Sequence, residues 1–440
     1  MRIVGPGSYG AGVRTIGRWV YETAGGLPRQ FWYLWCTTLI NRLGSFVLVV
    51  LAIYLTNVRG LPEAFAGLVL GLWGAGGATG AVILGVLADR WGRKRTLLTG
   101  LWGGAVMMVA LGLARDPVLI AVCATLVGSM VEGVRAVLSA FMVDVVPVAD
   151  RVRAFSLQFW VVNVGFAFAA TVAGFVAGVE PSLLFLVNAT TLTAAGVFVA
   201  IMVKEPARSW TPAPASGSDV AEAAGDDATA RKPDGLAAAL RDRVFLAFLG
   251  ANLLTAFVYL QYMSTLSLSM TRDGLSPSTY GSVIALNGVL IVVGQVFVTR
   301  ALRRLHHTTA LVIACTTLGV GFGLTAFATT AVFYAVTVLI WTAGEMFQAP
   351  SNAATVAALS PAHLRGRYQG LFTFSWGVAS FAAPLLGATV LQYAGKTILW
   401  LGCLVLCLAA AALHLAARAR RDQRAAELAA ESAPAAVAAA

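Results

Sequence analysis

Stretches of about 20 or more mostly apolar residues recur twelve times along this chain. They lie at 31–56, 63–88, 96–114, 118–146, 154–178 and 182–203 in the first half, and at 244–270, 277–300, 309–328, 330–358, 367–392 and 396–417 in the second. A helix of about 20 residues crosses a hydrocarbon layer about 30 Å thick. Inside that layer every backbone N–H and C=O must find an internal partner, which restricts a chain of this pattern to spanning helices. Charged side chains make up only 12% of the 440 residues, against about 25% in soluble domains. The expected fold class is therefore all-α and integral to the lipid bilayer, with twelve transmembrane helices.

The net charge of +11 would suit a polyanionic partner if it were gathered on one face, but the loops distribute it otherwise. Of the 31 Lys and Arg, 25 fall on one side of the twelve spans, four on the other, and two within helices. That asymmetry is the positive-inside pattern, which predicts both termini in the cytoplasm and a multi-pass protein of the cell (inner or plasma) membrane. Charge here reports topology, so no nucleic-acid partner is expected. The polar, basic segment Met1–Arg29 lacks the layout of a cleavable leader, so the first helix is expected to be its own insertion signal. The five cysteines sit in apolar runs without C-x-x-C spacing, and the four histidines lie in loops or near a helix end. No metal, cofactor or disulfide framework is expected. Neither a phosphate-binding G-x-x-x-x-G-K-[ST] loop nor a hydrolytic Ser/His/Asp constellation occurs, so neither ATP as energy source nor an enzyme is expected.

Four ionisable residues break the apolar pattern: Arg42 in the first helix, Glu132 and Arg135 in the fourth, and Glu345 in the tenth. Each costs about 2.5–3.5 kcal/mol near the bilayer centre. They are expected to face a polar vestibule or one another. Glu132 and Arg135 are three apart and share a helix face, which fits a self-neutralising structural pair or a larger cluster. Glu345 has no cation near it in its own helix. A lone carboxyl in an apolar cavity is the best candidate for a group that alternates between protonated and ionised, and for a partner of a cationic substrate.

The two halves look related. Pro147-x-x-x-Arg151-x-Arg153 after the fourth helix recurs as Pro361-x-x-x-Arg365-x-Arg367 after the tenth. Between helices two and three runs Gly85-Val86-Leu87-Ala88-Asp89-Arg90-Trp91-Gly92-Arg93-Lys94-Arg95, a loop short enough to make its flanking helices antiparallel neighbours. A general basic loop accounts for the cations but not for Asp89 or the two glycines. The pattern G-x-L-A-D-R-x-G-R-K-R resembles the signature of the major facilitator superfamily, and Thr299-Arg300-Ala301-Leu302-Arg303-Arg304 resembles a degraded copy of it. The resemblance covers residues 30–417. It implies two pseudo-symmetric six-helix bundles, a fold that transports by alternating access around a midplane site.

Taken further, the resemblance points to the twelve-helix drug/proton antiporter branch. Asn41-Arg42-x-Gly44 with Tyr54-Leu55, Arg135, and Gly344-Glu345-x-x-x-x-Pro350 are each similar to features of that branch. They imply a proton-coupling set of Glu345, Glu132, Arg135 and Arg42. Gly85, Asp89, Arg90, Gly92, Arg93 and Asp144 are implied as the gate, with a relay Asp89–Arg93–Asp144 and Asp89 facing the N-terminus of helix eleven near Gly366. Helix five carries Gly165-x-x-x-Ala169-Ala170-x-x-Ala173-Gly174, similar to the antiporter signature except that Ala170 stands where proline belongs. Helix eleven holds a closer copy, Ala383-Pro384-x-x-Gly387-Ala388. Small residues at that spacing also serve ordinary close packing.

The remaining cavity candidates are Asn163, Tyr259, Gln261, Tyr262, Asn287, Gln348, Asn352 and Trp376, with Asn252 beside them. The domain reading gives an N-terminal segment 1–30, a bundle 31–203, a polar cytoplasmic linker 204–243, a bundle 244–417 and a tail 418–440. The linker is too poor in apolar residues to order itself fully. The expected function is monomeric, proton-coupled efflux of lipophilic or cationic small molecules. The alternatives are a proton-driven importer of a small polar solute on the same fold, and a non-transporting membrane receptor or scaffold.

Overall fold

The computed structural model describes residues 25–147, 150–179, 182–205, 236–302, 305–361 and 364–432. Among them the chain is helical, without strands, and twelve helices are long and apolar enough to cross a membrane. These are α1 (Arg29–Val58), α2 (Glu63–Trp91), α3 (Arg93–Leu113), α4 (Pro117–Val145), α5 (Arg151–Val179) and α6 (Leu183–Met202) in the first bundle. The second holds α7 (Arg243–Met263), α8 (Pro277–Leu302), α9 (His307–Leu324), α10 (Ala331–Leu359), α11 (Arg365–Ala394) and α12 (Lys396–Ala416). A further helix, α13 (Arg418–Ser432), opens the tail segment 418–440, and a short helical turn, Leu236–Arg241, precedes α7. Most of the linker, with the side chains of Thr299, Arg303 and Arg304 in the degraded repeat, lies outside the described residues.

Local chemistry sets the ends of these helices. Asp116 accepts from the backbone N–H of Val118 and Leu119 at the start of α4, with Pro117 in the first helical position. Asp242 does the same for Val244 and Phe245 at the start of α7. Arg151 folds back on α4 and donates to the carbonyls of Val143 (2.9 Å) and Val146 (3.3 Å), two of the acceptors a helix C-terminus leaves open. The first half of the Pro/Arg repeat is thus a helix cap.

Two spans are not the continuous helices that their hydropathy suggested. α1 stops at Leu43, resumes at Val47 and closes in a π-helical turn at Tyr54–Val58. α7 passes through a 3₁₀ turn at Leu260–Met263 before a last helical stretch, Thr265–Arg272. Side chains take up backbone groups near that break: the Thr265 hydroxyl donates to the carbonyl of Gln261, and that of Ser267 to the carbonyl of Ser264. Buried irregular backbone is tolerated at membrane depth on that condition.

The bundles meet along two seams, α2 on α11 and α5 on α8. The first runs Gly67 on Pro384 and Ala388, Gly71 on Phe381, and Gly74 on Ser380. It ends where a side chain on Gly377 would come within 3.2 Å of the Ala78 methyl group. Beyond that point the same stripe continues on both helices without contact. Gly85, Gly366 and Gly370 have no atom within 4 Å of where a Cβ would sit, while Val82 and Phe374 are 67% and 70% exposed. The bundles therefore diverge toward the end that carries Arg90, Arg93, Lys94 and Arg95, here called the basic end.

The opposite end is sealed. Glu63 at the start of α2 takes a two-pronged ion pair from Arg272, Nε to Oε1 and Nη2 to Oε2, both at 2.7 Å. The third arm of Arg272 reaches the Leu391 carbonyl at 2.9 Å, and Gln392 accepts from the Ala64 N–H at 2.8 Å. Packing and polar bonds close the same end.

Candidate functional site

Three helices of the second bundle converge on Glu345. Tyr259 of α7 donates its hydroxyl to Oε1 at 2.6 Å, and Asn287 of α8 donates its amide to Oε2 at 2.7 Å. Asn287 is itself held by the Thr342 hydroxyl at 3.1 Å, one turn before Glu345 on α10. Both carboxyl oxygens are acceptors in this arrangement. No Lys, Arg or His makes an ion pair with Glu345 among the described residues. Aromatic rings surround the triad: Tyr259 lies 5.0 Å from Tyr262 and 6.1 Å from Trp376. Tyr262 stacks on Trp341 at 5.8 Å and meets Phe166 of α5 edge-on at 6.3 Å. That last contact carries the cluster across to the first bundle.

The first bundle supplies the other three charges. Glu132 and Arg135 pair within α4 at 2.7 Å. The Glu132 stem fits against Gly77 of α2, where a Cβ would lie 2.7 Å from the Glu132 Cγ. Arg42, in the last turn before the α1 break, is seated the same way against Gly165 of α5, at 2.5 Å from its Cβ. Its charge lies within electrostatic reach of Arg135, Glu132 and, across the cleft, Tyr262. Among the described residues Arg42 has neither an ion pair nor a side-chain hydrogen bond. Three of the intramembrane charges thus belong to the first bundle and Glu345 to the second, with the Phe166–Tyr262 contact between them.

At the basic end, Arg93 bridges Asp89 (2.8 Å) and Asp144 (2.9 Å). Gly92 adopts φ +104°, the region that makes a side chain costly. In this conformation, with the cleft at the basic end open, the three side chains lie together within the first bundle. Asp89 is exposed and bonded to Arg93, Gly366 stands in open space, and among the described residues no bond joins Asp89 to the α11 N-terminus. Sequence reasoning also missed Glu205, just past α6. Its carboxylate accepts from the N–H groups of Arg93 (2.6 Å) and Lys94 (2.9 Å), capping α3 where the helix dipole favours an anion.

Residues 34–384 and 262–439 match the model of the Major Facilitator Superfamily. The chain belongs to the major facilitator superfamily. Its relatives include two uncharacterized MFS-type transporters of Bacillus subtilis (strain 168). YqjV is 22% identical over 83% of this chain and 87% of its own length, and YttB is 26% identical over 88% and 95%. Among solved structures, the nucleoside transporter NupG superposes with a TM-score of 0.73 at 15% identity, covering 89% of this chain and 99% of NupG. The POT family transporter PepTSo gives 0.72 at 15% identity, covering 90% and 99%. At these identities the likeness establishes the two-bundle transporter fold.

Within this superfamily chain several cavity candidates turn out to join helices. Gln261 is fully buried, donates to the Ala383 carbonyl at 3.0 Å and accepts from Thr265, and Gly387 makes room for it. Asn352 donates to Asn252 at 2.8 Å, and Asn252 reaches Ser375 at 3.4 Å, linking α10, α7 and α11. Asn163 returns its amide to Phe159 within the α5–α8 seam, and Gln348 is buried on α10. The two small-residue motifs resolve as seam surfaces: Gly174 and Ala170 on Gly281 of α8, and Pro384 and Ala388 on Gly67. Arg90 is exposed and Gly85 faces the open cleft. Among the described residues no cluster of His, Cys, Asp or Glu could hold a metal ion.

Proposed function

We propose that this chain is a proton-coupled secondary transporter that exports small lipophilic molecules, with Glu345 as the group that takes up and releases the proton. The observation that carries this reading is the setting of Glu345: a carboxyl inside the membrane span, held by Tyr259 and Asn287 and, among the described residues, by no cation. With the basic end placed in the cytoplasm, the conformation described above is inward-facing. Substrate enters between α2 and α11, where Val82 and Phe374 line the parted stripes.

A proton arriving at Glu345 cancels the charge that Tyr259 and Asn287 now stabilise. Tyr259 is then free to turn its hydroxyl elsewhere, and its ring contact with Tyr262 passes the change toward Phe166 and Arg42. About 2.3 kcal/mol per charge per 100 mV, or about 1.4 kcal/mol per pH unit, is enough for ten-fold accumulation per proton. The relay Asp89–Arg93–Asp144 would set the gate at the cytoplasmic end, with Asp89 reaching α11 only in the opposite conformation.

The sequence leaves a lipophilic or a cationic substrate open. Both acids of the site already have partners, so the lipophilic part of that expectation is the part retained. Import on the same scaffold is a second reading. Ala170, where the antiporter signature has proline, favours it. Inside-out membrane vesicles decide between them: export predicts proton-driven loading of lipophilic dyes, and import predicts none.

A further inference from the structure

We infer that Arg42 is the anchor for a negatively charged group on the substrate, and that the site takes an amphipathic organic anion with a carboxylate head and an apolar or aromatic body. This rests on the transport reading above and deepens it by assigning a substrate class.

The argument is an account of partners. Four ionisable side chains lie within the membrane-spanning helices, and three are already engaged. Glu132 and Arg135 hold each other at 2.7 Å, and Glu345 holds Tyr259 and Asn287. Arg42 is left over. Its surroundings are Glu132 and Arg135 on α4, Tyr262 on α7 and Gly165 on α5, and the nearest acid has given its short contact to Arg135. An ionised side chain near the bilayer centre is tolerated beside water or a counter-charge. A guanidinium offers five donors in a planar fork that matches a carboxylate with two parallel bonds.

Position and surroundings favour the same ligand. The Arg42 Cβ packs against Gly165 of α5, which fixes the root of the side chain. Across the cleft stands a wall of rings, Tyr262 stacked on Trp341 with Tyr259 and Trp376 behind it. The indole N–H groups of Trp341 and Trp376 are both buried without an acceptor, so the wall itself adds two unmatched donors. The unmatched donors at this site call for an acceptor-rich head, and the rings call for an apolar body.

The test uses the purified full chain and three probes on one skeleton: 3-phenylpropionate, 3-phenylpropan-1-ol and 3-phenylpropan-1-amine. Binding is read by tryptophan fluorescence and thermal stabilisation. The expected order places the carboxylate about ten-fold or more ahead of the alcohol and the amine. Arg42→Gln should remove that margin and leave alcohol binding within about two-fold, while Arg42→Lys retains part of it. Should Arg42→Gln not fold, the Lys variant and the probe order still decide. Equal binding of the three probes, a preference for the amine, or an unchanged carboxylate margin in either variant overturns the assignment. Flux of the same probes in proteoliposomes separates the two readings. Selective carboxylate binding without any response of flux to a pH gradient would fault the proton coupling and spare the anion site.

Discussion

Tyr259 and Glu345 stand 86 positions apart in sequence, yet their oxygens are 2.6 Å apart, and the bond between them ties α7 to α10. α7 carries the 3₁₀ break immediately after Tyr259, so the bond sits where the helix is least regular. Hydrogen bonds to a charged group contribute about 1.5–3 kcal/mol. Tyr259→Phe should therefore lower proton-driven accumulation by about ten-fold or more, while exchange of substrate without a gradient continues. Parallel flux and counterflow assays on one preparation check this.

The ion pair Glu63–Arg272 joins the bundles at the sealed end. Both residues are partly solvated, so about 1 kcal/mol is a fair allowance for the pair, and that alone changes a population ratio about five-fold. Glu63→Gln should shift the protein toward the conformation open at this end. The charge swap Glu63→Arg with Arg272→Glu should shift it back. Cysteine cross-linking between positions 64 and 392, which touch here, should fall in the single variant and recover in the swap.

Gly92 combines φ +104° with a carboxylate 2.7 Å from where its Cβ would be, that of Glu205. Gly92→Ala should cost about 1–3 kcal/mol and loosen the cap on α3. Glu205→Gln keeps the acceptor geometry on one side only and should cost less. Thermal unfolding of the two purified variants would give the order.

Hydropathy made the twelve spans legible because burial in lipid imposes a long apolar window on each. The window 63–88 corresponds to α2 at Glu63–Trp91, and 96–114 to α3 at Arg93–Leu113. It does not register a broken hydrogen-bond ladder, so the breaks at Gly44–Phe46 and Leu260–Ser264 passed unseen. α13 was missed for the opposite reason. It is amphipathic and docks at the basic end through Arg421, which donates to the His414 carbonyl (2.6 Å) and the Thr308 hydroxyl (3.1 Å).

The site was legible one residue at a time. Arg42, Glu132, Arg135 and Glu345 announced themselves as charges in apolar runs. Their partnerships did not, because Asn287 and Tyr259 are 58 and 86 positions from Glu345. Amides and tyrosines in membrane helices are common, and nothing in the sequence separates Asn287, which holds the carboxyl, from Gln261, which joins α7 to α11. Glu63, Arg272 and Glu205 sit at helix ends, where charges are ordinary and attract no notice. Gly165 belongs to a small-residue motif that also suits generic packing, although it stands against the root of Arg42.

The coupling role of Glu345 is tested most directly by Glu345→Gln in proteoliposomes under an imposed pH gradient, with 3-phenylpropionate as probe. The wild type should accumulate or extrude the probe against its gradient. The variant should exchange it across the membrane but fail to concentrate it. A variant that concentrates the probe as well as the wild type does would contradict the account.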